Sequence, residues 1–237
     1  MLTTNESLVR LAAFACILAA LAVWELLAPR RRQRLGRGLR WPGNLGVVAL
    51  DTLLVRVLFP TTAIGLALVC EARGWGLLQV LGLPAWASVP LAFVALDLAI
   101  YLQHVLFHAV PALWRLHRMH HADQEIDVTT GVRFHPIEIL LSMGIKLGVV
   151  AALGTPAVAV LVFEIMLNAT SMFSHSNVAM PLWLDRALRW IVVTPTCIAC
   201  TIPSSCARPT ATSASTCRGG TACSAPIATS RLPAIVT

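Results

Sequence analysis

Long apolar runs separated by short polar breaks dominate the chain. The first, Leu8 to Ala28, meets the roughly 20 residues that a helix needs to cross a hydrocarbon core. A second runs from about Val47 to Cys70 and carries Asp51 and Arg56, whose spacing is poorly placed for an intrahelical pair. The segment GWGLLQVLGLPAW, broken by Gly and Pro, predicts a turn or an interfacial piece. A third span covers roughly Ala85 to His108. The stretch from Ile137 to Phe173 is too long for one ordinary span, and Gly154, Thr155 and Pro156 divide it into a helical hairpin or two spans. The pattern predicts an all-α integral membrane bundle of about four transmembrane helices, or three plus a re-entrant hairpin. No internal repeat is evident.

Composition sharpens this picture. Of 237 residues, 57% are hydrophobic and only 12% charged, with a mean hydropathy of +0.75. A soluble domain carries about twice that charge fraction. The formal charge of +7 comes from arginines, since Lys146 is the only lysine. Arg30, Arg31, Arg32, Arg34, Arg37 and Arg40 form one block, which reads as a cytoplasmic topology anchor beside anionic lipid and not as a nucleic-acid surface. The N-terminus then lies outside, and counting crossings places the HVLFH end, HRMHH, RFHP and His175 on the cytoplasmic side. The expected location is a bacterial inner membrane.

Cys16 and Cys70 sit in apolar runs, whereas Cys197, Cys200, Cys206, Cys217 and Cys223 crowd the last 42 residues. That distribution does not suit a disulfide framework.

The candidate chemistry lies in the histidines. His104 and His108 occur in HVLFH, His117, His120 and His121 in HRMHH, His135 in RFHP, and His175 after the next apolar stretch. Apolar surroundings reject so many imidazoles unless something binds them. Residues four apart share a helix face, so His104 with His108, and His117 with His121, can each address one centre. Asp97 and Tyr101 extend the first stripe, and Asp97 is placed to orient an imidazole through its second nitrogen; a plain interhelical contact is its other reading. Imidazole suits iron, zinc and copper alike. His135 or His175 taken singly reads as an interhelical hydrogen-bonding residue.

The run LDLAIYLQHVLFHAVPALWRLHRMHH, followed by RFHPIE and FSHSN, resembles the fatty acid hydroxylase/sterol desaturase superfamily over roughly Ala92 to Pro195. The resemblance implies a cytosol-facing site with two iron ions, zinc being an alternative occupant. It implies use of O2 and of electrons from a donor protein to hydroxylate or desaturate a lipid. His104 and His108 would fill the first box and His117, His120 and His121 the second; His175 would be a further ligand and His135 a ligand or support. Arg115 and Arg118 are candidates for meeting a lipid headgroup, although they also read as topology arginines. A divalent-metal transporter or metal-binding membrane protein is the alternative, as is a non-catalytic remnant. Transport would favour ligands at mid-membrane on discontinuous helices.

The family's third box, of HRxHH form, is missing. After Pro195 the composition changes abruptly to TCIACTIPSSCARPTATSASTC, without histidine or acid. CIAC has the spacing of a zinc or redox motif, but a shifted reading frame accounts for more. Codons for Thr196 to Pro203 can be written ACA TGC ATC GCG TGC ACC ATT CC. One G placed before them yields DMHRVHHS, the absent box. The expectation is a one-base deletion near the Pro195 codon and an out-of-frame tail with too little patterned apolar surface to pack. Three segments follow: 1–84 with N-terminal spans and the basic loop, 85–195 with the hydroxylase-like histidine boxes, and 196–237 as the tail.

Overall fold

The computed structural model describes residues 2–123 and 125–196. These form an all-helical bundle: α1 (Leu2–Leu27), α2 (Arg37–Leu58), α3 (Ala63–Arg73), α4 (Leu77–Val80), α5 (Ala85–Ala109), α6 (Pro111–His117), α7 (Pro136–Leu153), α8 (Ala157–His175) and α9 (Leu182–Leu188). Five segments are long and apolar enough to cross a membrane: Asn5–Leu27, Arg37–Val80, Ala85–Ala109, Pro136–Leu153 and Ala157–His175. The chain is an integral membrane protein. The apolar stretch from 137 to 173 resolves into two full helices, which takes the number of candidate spans above the four expected. Residues after Pro195, with the expected frame change and the CIAC cysteines, lie almost wholly outside the described residues.

The second run is not one helix. Pro60 lacks an N–H and drives the preceding residue out of the helical region, so Phe59 sits at φ −106°, ψ 124°. Thr62 restarts the chain by accepting the Gly65 N–H at 3.0 Å. Asp51 and Arg56 do not pair: Asp51 is buried, and its Oδ1 has no partner among the described residues.

The Gly154 break works as its residues suggest. Gly154 caps α7 at φ 63°, ψ 48°, a region costly for residues with a Cβ, and its backbone packs directly on Trp75 and Gly76. Apolar packing of Ile64, Ala67, Leu96, Val150, Val160 and Phe163 then joins α3, α5, α7 and α8. Phe93 meets Phe163 edge-on, with centroids 5.7 Å apart. Within the spans Glu164 of α8 lies 3.2 Å from Arg10 of α1 and 2.8 Å from Lys146 of α7. Three ionisable groups on apolar helices thus find one another, the usual way such groups are tolerated in lipid.

At the opposite end of the bundle, a polar lattice fixes the loop between α6 and α7 that carries His120 and His121. Glu25, 1% exposed at the end of α1, accepts the backbone N–H of Val128 (2.8 Å) and of Asn177 (2.7 Å) and pairs with Arg37 (3.0 Å). Arg40 pairs with Asp123 (3.3 Å) and with Asp127, which also accepts from Trp41 (3.1 Å). Asn44 reaches both Asp123 (3.1 Å) and Thr129 (2.9 Å). Within the arginine block, Arg37 and Arg40 are therefore internal struts. Gly131 lets the loop touch the backbone of Ser171 and Met172, where a Cβ would collide.

Removing Glu25 strands two buried N–H groups and one guanidinium. Glu25→Ala should lower unfolding free energy by about 3 kcal/mol or more, measured by thermal unfolding in detergent. Glu25→Gln, which keeps one acceptor oxygen, should lose less.

Candidate metal centre

Six of the seven histidines converge at one end of the bundle. α5 contributes His104 and His108, one turn apart, with Nε2 atoms 3.2 Å from each other. Pro111 at the start of α6 turns the chain immediately afterwards, and α6 ends on His117. A 3₁₀ turn, His120–Ala122, carries the next two imidazoles, and His175 is the last residue of α8. Ring centroids lie 4.8 Å apart for His104–His117, 4.7 Å for His108–His117, 5.0 Å for His108–His121 and 4.5 Å for His120–His175. The ligand nitrogens of His104, His108 and His117 all fall within 4.8 Å of one another. Trp114, Phe107 and Phe134 wall the cluster, Phe134 stacking on His120 at 4.4 Å.

Second-nitrogen contacts fix the rings. His117 Nδ1 donates to Glu138 Oε1 (2.7 Å), His120 Nδ1 to the Arg133 carbonyl (3.1 Å), and His175 Nδ1 to the Ser171 carbonyl (2.9 Å). A carbonyl only accepts, so in the neutral rings of His120 and His175 the proton sits on Nδ1 and Nε2 carries a bare lone pair. Those two Nε2 atoms nevertheless face each other at 2.9 Å, and the His117 and His121 Nε2 atoms at 3.2 Å.

Two nitrogens each about 2.1 Å from one ion lie about 3.0 Å apart at a right angle and about 3.4 Å at the tetrahedral angle. The observed spacings match neighbouring ligands on a shared cation. Protonating a ring would also relieve the repulsion, but burial first, then the adjacent imidazoles, push the His120 pKa well below its ordinary value and that of His121 down to about 3. The residues present therefore fit a metal ion bound by neutral imidazoles.

Two expected site residues stand elsewhere. Asp97 is exposed on α5, two turns from His104, and makes no contact with the rings among the described residues; the carboxylate that holds an imidazole is Glu138. His135 makes no ring contact with the other histidines among the described residues. Its Nδ1 caps α7 by accepting the Ile137 N–H at 3.1 Å. Glu138 was missed because an acid in the first turn of a helix reads as an ordinary favourable charge there. Its signal was the position three residues after His135 in RFHPIE. Glu138 is 4% exposed, and its Oε2 has no partner among the described residues.

Two outcomes follow. Glu138→Gln should weaken metal binding roughly 10–100-fold, read by equilibrium competition with a chromogenic chelator. The folded-state pKa values of His120 and His121 lie below the unfolded value, so their neutral burial supports the fold fully above pH 6.5. That support is lost as pH falls from there towards 3. Melting of metal-free protein should show the decline, up to about 1.4 kcal/mol per pH unit for each ring; a flat profile over this window would contradict it.

Residues 89–198 match the family model described as fatty acid hydroxylase. No curated protein and no solved structure matches the chain significantly. The matched segment begins within α5, takes in all six converging imidazoles and ends three residues beyond Pro195. Over these residues the chain is similar to the fatty acid hydroxylase family, which suggests a membrane lipid hydroxylase or desaturase and generally depends on two iron ions.

Proposed function

We propose that this chain is built as a membrane-bound di-iron oxidoreductase that uses O2 to hydroxylate or desaturate a fatty acyl or sterol-like lipid in lipid biosynthesis. Its histidine end faces the cytoplasm of a bacterial inner membrane, where a separate protein donates electrons. The observation that carries this reading is the convergence of six imidazoles whose Nε2 atoms stand at the spacing of ligands on shared cations. His104, His108, His117, His120, His121 and His175 would hold the metals. Bound iron supplies the redox chemistry that side-chain acids and bases lack for an unactivated C–H bond.

The chain's own residues do the rest. Glu138 orients His117, and the carbonyls of Arg133 and Ser171 orient His120 and His175. Trp114, Phe107 and Phe134 limit water around the rings. His104 is exposed on α5 beside the exposed Tyr101, Leu102 and Val105, so an apolar chain lying in the bilayer reaches the cluster without entering water. Placement of the ligands at and near helix ends, not on interrupted helices at mid-membrane, favours this over metal transport.

Segment 85–195 is the catalytic unit and 1–84 supplies spans and struts. We assign 196–237 to a shifted reading frame. The family match ending at residue 198 supports that assignment, as does the box recovered by one added base. The cluster is open at His104, and the 237-residue chain lacks the three imidazoles that would close it. Its activity is therefore impaired.

The test compares the 237-residue chain with one whose frame is restored by a single base before the Thr196 codon. Iron content and O2-dependent lipid products are measured by elemental analysis and mass spectrometry. The restored chain should hold about two irons and yield a hydroxylated or desaturated lipid, with the product lost in His120→Ala. Full turnover by the 237-residue chain would remove the impairment, and an iron-free restored chain would remove the di-iron reading.

A further inference from the structure

A groove of about 330 Å³ lies outside the histidine cluster, between the first turns of α2 and the loop before α7. One wall is a single face of α2: Leu39, Arg40, Gly43, Asn44 and Val47. The other is Asp123 and Arg133. Along α2 the wall carries two parallel stripes, one polar and one apolar. Arg40 and Asn44 belong to the polar lattice, whereas Leu39, Gly43 and Val47, spaced four apart, form an apolar stripe. That stripe rises about 12 Å along the helix axis, from the polar end of a candidate span towards its middle.

The charges in the groove are not equivalent. Asp123 is already satisfied by Arg40 (3.3 Å), Asn44 (3.1 Å) and Thr130 (2.8 Å). Burial alone would raise its pKa, but these donors together hold it below the ordinary value. Arg40 is spent on Asp123 and Asp127. Arg133 differs: it is half-buried, and its guanidinium has no partner among the described residues. A half-buried guanidinium facing an apolar stripe across one groove matches an amphiphile with an anionic head.

We propose that this groove binds a phospholipid, with Arg133 taking the phosphate and an acyl chain following Leu39, Gly43 and Val47. The guanidinium fork suits phosphate oxygens in a bidentate manner, and arginine is the weakly hydrated cation favoured at such a depth. The backbone of the same residue holds His120 through its carbonyl, so lipid occupancy bears on the ring orientation of the metal centre from outside it. The proposal goes beyond the catalytic reading and does not depend on it, because it invokes no metal ligand and no turnover.

Two variants separate head from chain. Arg133→Gln removes the cation and leaves the carbonyl that holds His120. Gly43→Leu fills the stripe, and a Cβ at Gly43 meets nothing within 4 Å, so the helix accepts it. The full 237-residue chain, purified without added metal, is titrated in detergent with phosphatidylglycerol, with diacylglycerol of the same chains, and with inorganic phosphate, and bound species are read by native mass spectrometry. Wild type should retain phosphatidylglycerol at least tenfold better than diacylglycerol. Arg133→Gln should lose that preference by about tenfold or more, the scale of one charge-assisted hydrogen bond, and Gly43→Leu should lower retention of both lipids. Wild-type retention in both variants would overturn the site. Inorganic phosphate held as well as the phospholipid would overturn the lipid assignment in favour of a free-anion site. Lipid binding by a chain that never takes up iron would leave this proposal standing while the catalytic reading failed.

Discussion

Two nitrogens that each carry a lone pair repel at 2.9 Å, yet the fold presses His120 and His175 together at that distance and ties down the far side of each ring. Nothing in an apolar bundle brings imidazoles together spontaneously, since each loses water and gains only a like neighbour. The arrangement persists because the rings arrive on elements fixed by other forces. α5 and α8 are held by apolar packing around Leu96 and Phe163. The intervening loop is held by carboxylates and arginines that close on themselves. A preorganised, electron-rich cluster is the result, and a bound cation would relieve its repulsion. The family match and the geometry arrive at this point by separate routes.

The same logic explains the division of labour among the acidic residues. Glu25, Asp123 and Asp127 lie within the polar lattice and accept hydrogen bonds from backbone and arginine. Among the described residues, Glu138 alone of the acids faces an imidazole of the cluster through a short contact. One carboxylate therefore tunes the centre, while the others define where the loop can stand.

Much of this was legible in the sequence, and the failures have physical causes. Helical spacing alone brings His104 beside His108 and His117 beside His121, so the two pairs are visible in HVLFH and HRMHH. The break at Gly154 is visible because glycine and proline act locally. Asp97 misled because it lies on the right stripe of α5, but a stripe fixes only the side of a helix, not what packs there. Glu138 belongs to another helix, and its contact with His117 bridges 21 residues, which no periodicity reports. His135 stood as a ligand or a support because HP before an apolar run has two uses, and here the ring caps α7. The arginine block shows the composition and hides the pairing: Arg37 and Arg40 reach acids on α1 and on the loop, partners that a count of charges cannot see.

The Arg10–Glu164–Lys146 cluster has a bearing on how the chain enters a bilayer. Arg10 lies in the first apolar helix, whereas its counter-ion lies more than 150 residues later. A ribosome delivering the chain from its N-terminus presents α1 to the lipid long before α8 exists. Until then the guanidinium must stretch to an aqueous boundary or stay beside the insertion machinery. Final seating of α1 thus waits for α8, the helix that also delivers His175.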